Sequence, residues 1–342
     1  MIEIQGGVCA ATGFVANGIH CGIRKNKTKR DLALIVSQVP AAAAAVYTTN
    51  LVKGAPLAVT KKHLANGIAR AVICNSGNAN TCNADGEAVA EEMSRAAAEA
   101  LGIDASDVIV ASTGVIGQPL DPTPIKAALP TLAEGLGAHG DLAAEAIMTT
   151  DTKPKEIAYS FTVGGKECHI GGIAKGSGMI HPNLATMLVF ITTDCAITAP
   201  MLQKALSADV VDSFNMVSVD GDTSTNDMVT VLANGMAGNP EITCEGEDFT
   251  TFMQALNTIT VNLCRMIAGD GEGATKLLEC KATGADTLEA AKKCAKSVIC
   301  SSLLKAAMFG ADANWGRVLC AIGYSGAGAG CHIQIADKSI GN

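Results

Sequence analysis

The chain has 342 residues, 48% hydrophobic and 17% charged, with a formal net charge of −8. That is enough material for a large buried core built as two or three structural units. The acidic balance, three tyrosines and one tryptophan, Trp315, exclude a nucleic-acid surface, which needs basic patches and stacking aromatics, and leave a small polar metabolite as the better partner. The longest apolar runs, at 41–47 and 187–191, fall well short of a membrane span. Met1-Ile-Glu-Ile lacks the basic and apolar regions of a signal peptide, so a cytoplasmic location is expected. Thirteen cysteines, with no Cys-x-x-Cys pair and no His-rich cluster, read as mostly reduced, buried core residues, and their spacing gives no support to a zinc site.

Strand-like and helix-like segments alternate along the chain, which predicts a mixed α/β fold. Residues 71–74 and 108–111 read as short buried strands, and 88–101 as a helix with Val89, Met93 and Ala97 on one face. Segments 157–163 and 167–173 flank Gly164-Gly165, the spacing of a hairpin. A glycine-rich loop follows, then a strand at 187–192, a helix at 200–214, a strand at 228–233, a helix at 249–267 and a strand at 276–281. A second long helix is expected at 287–308, capped by Asp286 with Glu289 behind it. Gly326-Ala-Gly-Ala-Gly330 does not match the dinucleotide fingerprint and reads as a turn before a strand at 331–335. No repeat or linker-like tract marks a flexible domain boundary.

The loop Lys175-Gly-Ser-Gly-Met-Ile-His-Pro-Asn-Leu-Ala-Thr186 carries the clearest chemistry. A threonine hydroxyl is a poor nucleophile without a base beside it, and an N-terminal threonine carries its own base, the α-amine. That amine, with a pKa near ~8, is partly neutral close to physiological pH. Cutting the Ala185-Thr186 bond would create such a residue in mid-chain; otherwise the segment is a loop entering a core strand. Thr113 and Gly114 end the strand at 108–111, where a hydroxyl and backbone amides can meet a tetrahedral oxyanion. Lys175 offers a cation for an α-carboxylate. Glu272, between Gly271 and Gly273, offers a carboxylate for a cationic side chain. The run Asp220-Gly-Asp222-Thr-Ser224-Thr-Asn226-Asp227 fails the EF-hand pattern at Thr225 and Val231 and reads as a hydrogen-bonded loop near the active site.

The glycine loop closely resembles the processing site of the ArgJ family, the glutamate N-acetyltransferases or ornithine acetyltransferases of arginine biosynthesis. The blocks Asn75-Ser-Gly-Asn-Ala-Asn80, Ser112-Thr-Gly-Val-Ile-Gly117, Met148-Thr-Thr-Asp-Thr152, Ser218–Asp227, Ala268–Lys276 and Asp312-Ala-Asn-Trp-Gly-Arg317 resemble family blocks in family order. The resemblance implies a layered αββα-type sandwich related to N-terminal-nucleophile folds. It implies self-cleavage between Ala185 and Thr186 into fragments 1–185 and 186–342, assembled as an α2β2 heterotetramer. It makes Thr186 the nucleophile, assigns the oxyanion hole to Thr113 and Gly114, and marks Thr149, Lys175, Thr186 and Glu272 as substrate contacts. The implied reaction moves acetyl from N-acetylornithine to Thr186 and then to glutamate by a ping-pong route, with no metal or organic cofactor. Some members also accept acetyl-coenzyme A, and no phosphate-binding loop here decides that point. Family members continue to a segment resembling N-A-D-Y-R-T that completes the substrate site; this sequence stops at Ser339-Ile-Gly-Asn342, so a C-terminally truncated chain that processes itself yet binds substrate poorly is one expectation. Two other classes stand beside the transferase: an aminopeptidase or amidohydrolase that passes the acyl group to water, and a catalytically silent homologue.

Overall fold

The computed structural model describes residues 1–181, 187–327 and the strand at 332–339. The chain begins with β1 (Ile2–Ile4), β2 (Phe14–Ile19), β3 (Leu32–Tyr47), α1 (Ala55–His63), β4 (Ile68–Asn78), α2 (Gly86–Leu101) and β5 (Val108–Val115). It continues through α3 (Thr123–Glu134), α4 (Gly140–Ile147), β6 (Lys155–Val163), β7 (Lys166–Lys175), β8 (Leu188–Thr193), α5 (Ala199–Asp212), β9 (Met228–Ala233) and α6 (Glu247–Gly269). The last elements are β10 (Lys276–Thr283), α7 (Leu288–Cys300), α8 (Ser302–Phe309), α9 (Trp315–Gly323) and β11 (His332–Ser339).

A nine-stranded sheet runs in the order β1-β6-β7-β8-β9-β3-β4-β5, with β2 also paired to β3. The pairs β4/β5 and β8/β9 are parallel. Strand β3 belongs to both halves of the sheet: its first part pairs with β2 and β4, and its second part pairs with β9 while meeting β4 again at Ala41 and Ala42. Between them the register shifts from Val36 to Ala41, and Pro40 lies in that gap. A proline has no amide to donate to a ladder, so the regular pairing is interrupted there.

Side-chain alternation converts the two halves into layers. Leu34, Ile73 and Val110 face α2 and α3, joining Met93 and Leu129. Their strand neighbours Ile35, Val72 and Ile109 face the opposite way and share an inner core with Phe190 and Leu232. From the other half, Val189 and Val231 pack with Leu206 of α5 and Leu256 of α6. The order is therefore helix, sheet, sheet, helix, the expected αββα arrangement, with α4 contributing Ala143 and Ile147 to the inner core. A smaller sheet, β10 with β11, sits with α7 to α9 around Val298, Leu304 and Ala321.

The hairpin β6–β7 turns on Gly164 and Gly165, with φ of 55° and 75°, the positive pair that a two-residue hairpin requires. The helix expected over 287–308 is instead two helices. Ser301 leaves helical geometry at φ −67° and ψ 110°, and its Oγ accepts the amide of Leu304 at 3.2 Å, so a hydroxyl ends one helix and caps the next. The first of them is capped by Thr287, whose Oγ1 accepts the amide of Ala290 at 3.1 Å, rather than by Asp286. The helix expected at 200–214 stops at Asp212, where Ser213 Oγ binds back to Asp209 O at 2.9 Å. The described cysteines are free, but Cys82, Cys244 and Cys320 are exposed, so burial holds for only part of the set. Of the expected 326–330 turn and 331–335 strand, residues 328–331 lie outside the described residues. Among the described residues no helix is long and apolar enough to cross a membrane.

Phe190 is 1% exposed in the inner core that joins the two half-sheets. Phe190→Ala is expected to lower unfolding free energy by about 3–5 kcal/mol, measured by denaturant titration; a loss below about 1 kcal/mol would mean that this layer is not close-packed.

Candidate active site

The parallel strands β4 and β5 end side by side, and their last residues form one wall of a cavity of about 600 Å³. Gly114 pairs with Gly77 in that ladder and has φ of +137°. A Cβ on Gly114 would collide with the carbonyl carbon of Gly77, so only glycine allows the two backbones this close. Thr113, 8% exposed, precedes it on the same wall. The first side of the site is therefore backbone and hydroxyl, fixed by the sheet.

Asn226 locks that wall to the loop before β9. Its Nδ2 donates to Ala79 O at 2.6 Å and Ser112 O at 2.9 Å, while its Oδ1 accepts from Thr81 and Thr225 hydroxyls, each at 2.6 Å. Every polar atom of this buried amide is engaged, as burial demands. Further back in the same loop, the Asp220 carboxylate accepts the amides of Met179 at 2.6 Å, Ile180 at 2.9 Å and Asp222 at 3.0 Å. The Asp220–Asp227 run is thus a clamp on the glycine loop, and the described residues contain no His, Cys and carboxylate cluster able to hold a metal.

A buried ionic knot holds the remaining sides together. Lys155, 1% exposed, donates to Asp151 Oδ1 at 2.7 Å and Asp270 Oδ2 at 2.5 Å. Asp151 also accepts the amides of Thr149 at 2.9 Å and Gly176 at 2.7 Å. Asp270 accepts the amide and hydroxyl of Thr152, and its own carbonyl accepts Ser177 Oγ at 2.7 Å. Burial works against both carboxylates, but for Asp151 the charges of Lys175 and Lys155, and for Asp270 the hydrogen bonds from Lys155 and Thr152, hold them below the usual range.

These supports bring Thr113, Gly114, Thr149, Lys175 and Glu272 onto one cavity, with Met187 also in its lining. Ala185 and Thr186 lie outside the described residues. Lys175 ends β7, and burial pushes its pKa down against the opposing pull of Asp151 and Asp227. Asp227 Oδ2 is buried with no hydrogen-bond partner among the described residues, and burial drives its pKa well up despite Ser224 and Lys175. Glu272 is exposed at the opening, its amide donating to Ser177 O at 3.1 Å. The Glu272 carboxylate lies against Gly178, where a Cβ would displace it.

Sequence reasoning did not single out Arg24, Asp151, Lys155, Asn226, Asp227 or Asp270 as individual site residues. Asp151, Asn226, Asp227 and Asp270 stand inside blocks that were noticed, but their roles are tertiary. The one local sign was a lysine opening a strand four residues after an aspartate.

Comparisons with known proteins identify the chain's relatives. A family model described as the ArgJ family matches residues 15–340. The chain is 54% identical over 327 residues to the arginine biosynthesis bifunctional protein ArgJ of Symbiobacterium thermophilum, covering 95% of this chain and 81% of that one. It is 48% identical over 325 residues to the protein of the same description from Listeria monocytogenes, covering 94% and 81%. Among solved structures, the arginine biosynthesis bifunctional protein argJ of Bacillus halodurans matches with a TM-score of 0.51 at 43% identity, over 54% of this chain and 97% of that chain.

Lys155→Met would leave two buried carboxylates facing each other and is expected to cost about 3–5 kcal/mol at neutral pH. Both carboxyls are held low, so their contribution is complete above about pH 4 and is lost as pH falls through the depressed values. Urea titrations of both proteins at neutral and acid pH should therefore show the gap narrowing on acidification; a gap independent of pH would contradict the knot.

Proposed function

The chain belongs to the ArgJ family and is an acyltransferase of arginine biosynthesis, and on that premise we propose that it cleaves itself at Ala185-Thr186 and carries acetyl from N-acetylornithine to glutamate on Thr186. The observation that carries this reading is the convergence of Thr113, Gly114, Thr149, Lys175 and Glu272 on one cavity. Met187, which follows Thr186 in the chain, belongs to the same lining. The residues come from segments distant in sequence, so their meeting is a property of the fold.

In this reading the uncut chain first uses the Thr186 hydroxyl against the Ala185 carbonyl, giving an ester that water hydrolyses to fragments 1–185 and 186–342. The freed α-amine then takes the hydroxyl proton as Oγ attacks the acetyl carbonyl of N-acetylornithine. The oxyanion is met by Thr113 and Gly114, donors already set before charge develops. Collapse releases ornithine, whose departing nitrogen recovers the proton, and leaves an acetyl ester on Thr186. The α-amine of glutamate attacks that ester, N-acetylglutamate leaves, and the hydroxyl is restored. Lys175 serves the α-carboxylate shared by both amino acids, Glu272 the ornithine ammonium, and Thr149 the substrate at the cavity edge. The paired fragments assemble as an α2β2 heterotetramer in the cytoplasm.

Intact masses under denaturing conditions test the first step. The protein should give two fragments, the second starting at Thr186, and Thr186→Ala a single chain; one uncut chain in both overturns the reading. In the processed enzyme, replacing the oxyanion hydroxyl by Thr113→Ala should lower kcat by about 10²–10³-fold with little change in KM, and an unchanged kcat would remove Thr113 from that role. Assaying glutamate acetylation separately with N-acetylornithine and with acetyl-coenzyme A reveals whether the second donor is used.

A further inference from the structure

A ping-pong transfer between ornithine and glutamate imposes a charge problem on a single cavity. The donor brings a cationic side chain and the acceptor an anionic one. Glu272 suits the first and repels the second. The described lining contains two cationic side chains, Lys175 and Arg24, and Lys175 is already used by the α-carboxylate that both substrates share. A glutamate bound through two carboxylates needs a second cation.

Arg24 is built into the wall beside the oxyanion strand. Its backbone amide donates to Asp31 Oδ2 at 2.8 Å. That aspartate is fully buried and also accepts the amides of Cys21 at 2.5 Å and Gly22 at 3.3 Å, so the loop has a fixed shape. The stem of Arg24 lies over Gly77, where an added Cβ would come within 2.9 Å of Cγ, and Gly77 in turn backs Gly114. Nη2 donates to Met148 O, next to Thr149. One corner of the guanidinium is thereby anchored. Nε is buried without a hydrogen-bond partner, and no carboxylate lies within ion-pair distance of the group among the described residues. Asp31 and Asp151 act on this half-buried guanidinium through space without touching it, and the part of its planar fork that reaches the cavity lining matches a carboxylate.

We propose that Arg24 binds the side-chain carboxylate of glutamate during the second half of the transfer, so that Arg24 selects the acceptor while Glu272 selects the donor. The proposal rests on the acetyl-transfer reading above.

The two half-reactions separate the roles. With N-acetylornithine alone, the mass of the 186–342 fragment reports formation of the acetyl-enzyme; adding glutamate or glutamine reports its discharge. Arg24→Gln should lower kcat/KM for glutamate by about 10–100-fold, the effect of losing a charged hydrogen bond, while acetyl-enzyme formation falls much less. Preference for glutamate over glutamine should collapse, and Arg24→Lys should restore part of it. Equal losses in both half-reactions, or an unchanged preference, overturn the assignment. Should Arg24→Gln fail to process, Arg24→Lys carries the comparison, and an unprocessed Arg24→Lys assigns the residue to folding and ends the proposal. A processed native enzyme that forms no acetyl-enzyme sinks the transfer reading itself, a result distinct from a native enzyme that transfers normally while its Arg24 variants keep their selectivity.

Discussion

A lysine buried to 1% exposure between two aspartates is the constraint on which the site depends. Lys155 enters the interior because β6 carries it there, and an ammonium in that position is stable only with anionic partners and filled hydrogen bonds. Asp151 and Asp270 supply both, and their remaining acceptors tie together the turn before β6, which carries Asp151, the start of the glycine loop, and the segment after α6, which carries Asp270. Three pieces of chain that share no secondary structure are held in one geometry. Thr149, Lys175 and Glu272 stand on those pieces.

The opposite wall is fixed by other means. There the parallel ends of β4 and β5 meet through two glycines, and Asn226 stitches them to the loop that precedes β9. Backbone on one side and charge on the other is the division acyl transfer needs, because donors to an oxyanion should be immobile, whereas substrate recognition depends on side chains of definite sign. Within the cavity, burial depresses the Lys175 pKa and raises that of Asp227. Perturbation of this kind by desolvation together with a specific partner is typical of functional sites.

Much of the scaffold was legible because its physics is local. Val189 and Phe190, or Val72 and Ile73, face different cores by strict alternation, and both faces are apolar, so the strands read as short hydrophobic runs. The Gly164-Gly165 turn needed only its two residues. The helix expected over 287–308 was misread because Ser301 is polar but unexceptional in a helical pattern; its role as cap depends on the chain turning there to pack Val298 and Leu304 into the same small core. The candidate site divides similarly. Thr113, Gly114, Thr149, Lys175 and Glu272 were named through resemblance, and the cavity unites them. Lys155, Asn226 and Arg24 were missed because each acts across more than a hundred residues of sequence, a distance at which no motif spacing carries information.

In the proposed reaction a threonine inside this chain becomes a terminal nucleophile and holds the acyl group in transit. The most direct measurement is peptide mapping of the processed protein after exposure to N-acetylornithine without glutamate. The expected result is a peptide beginning at Thr186 that carries one acetyl ester, removed when glutamate is added with N-acetylglutamate as the product. Acetyl found on another residue, or ornithine released with no acetylated peptide at any time, would contradict it.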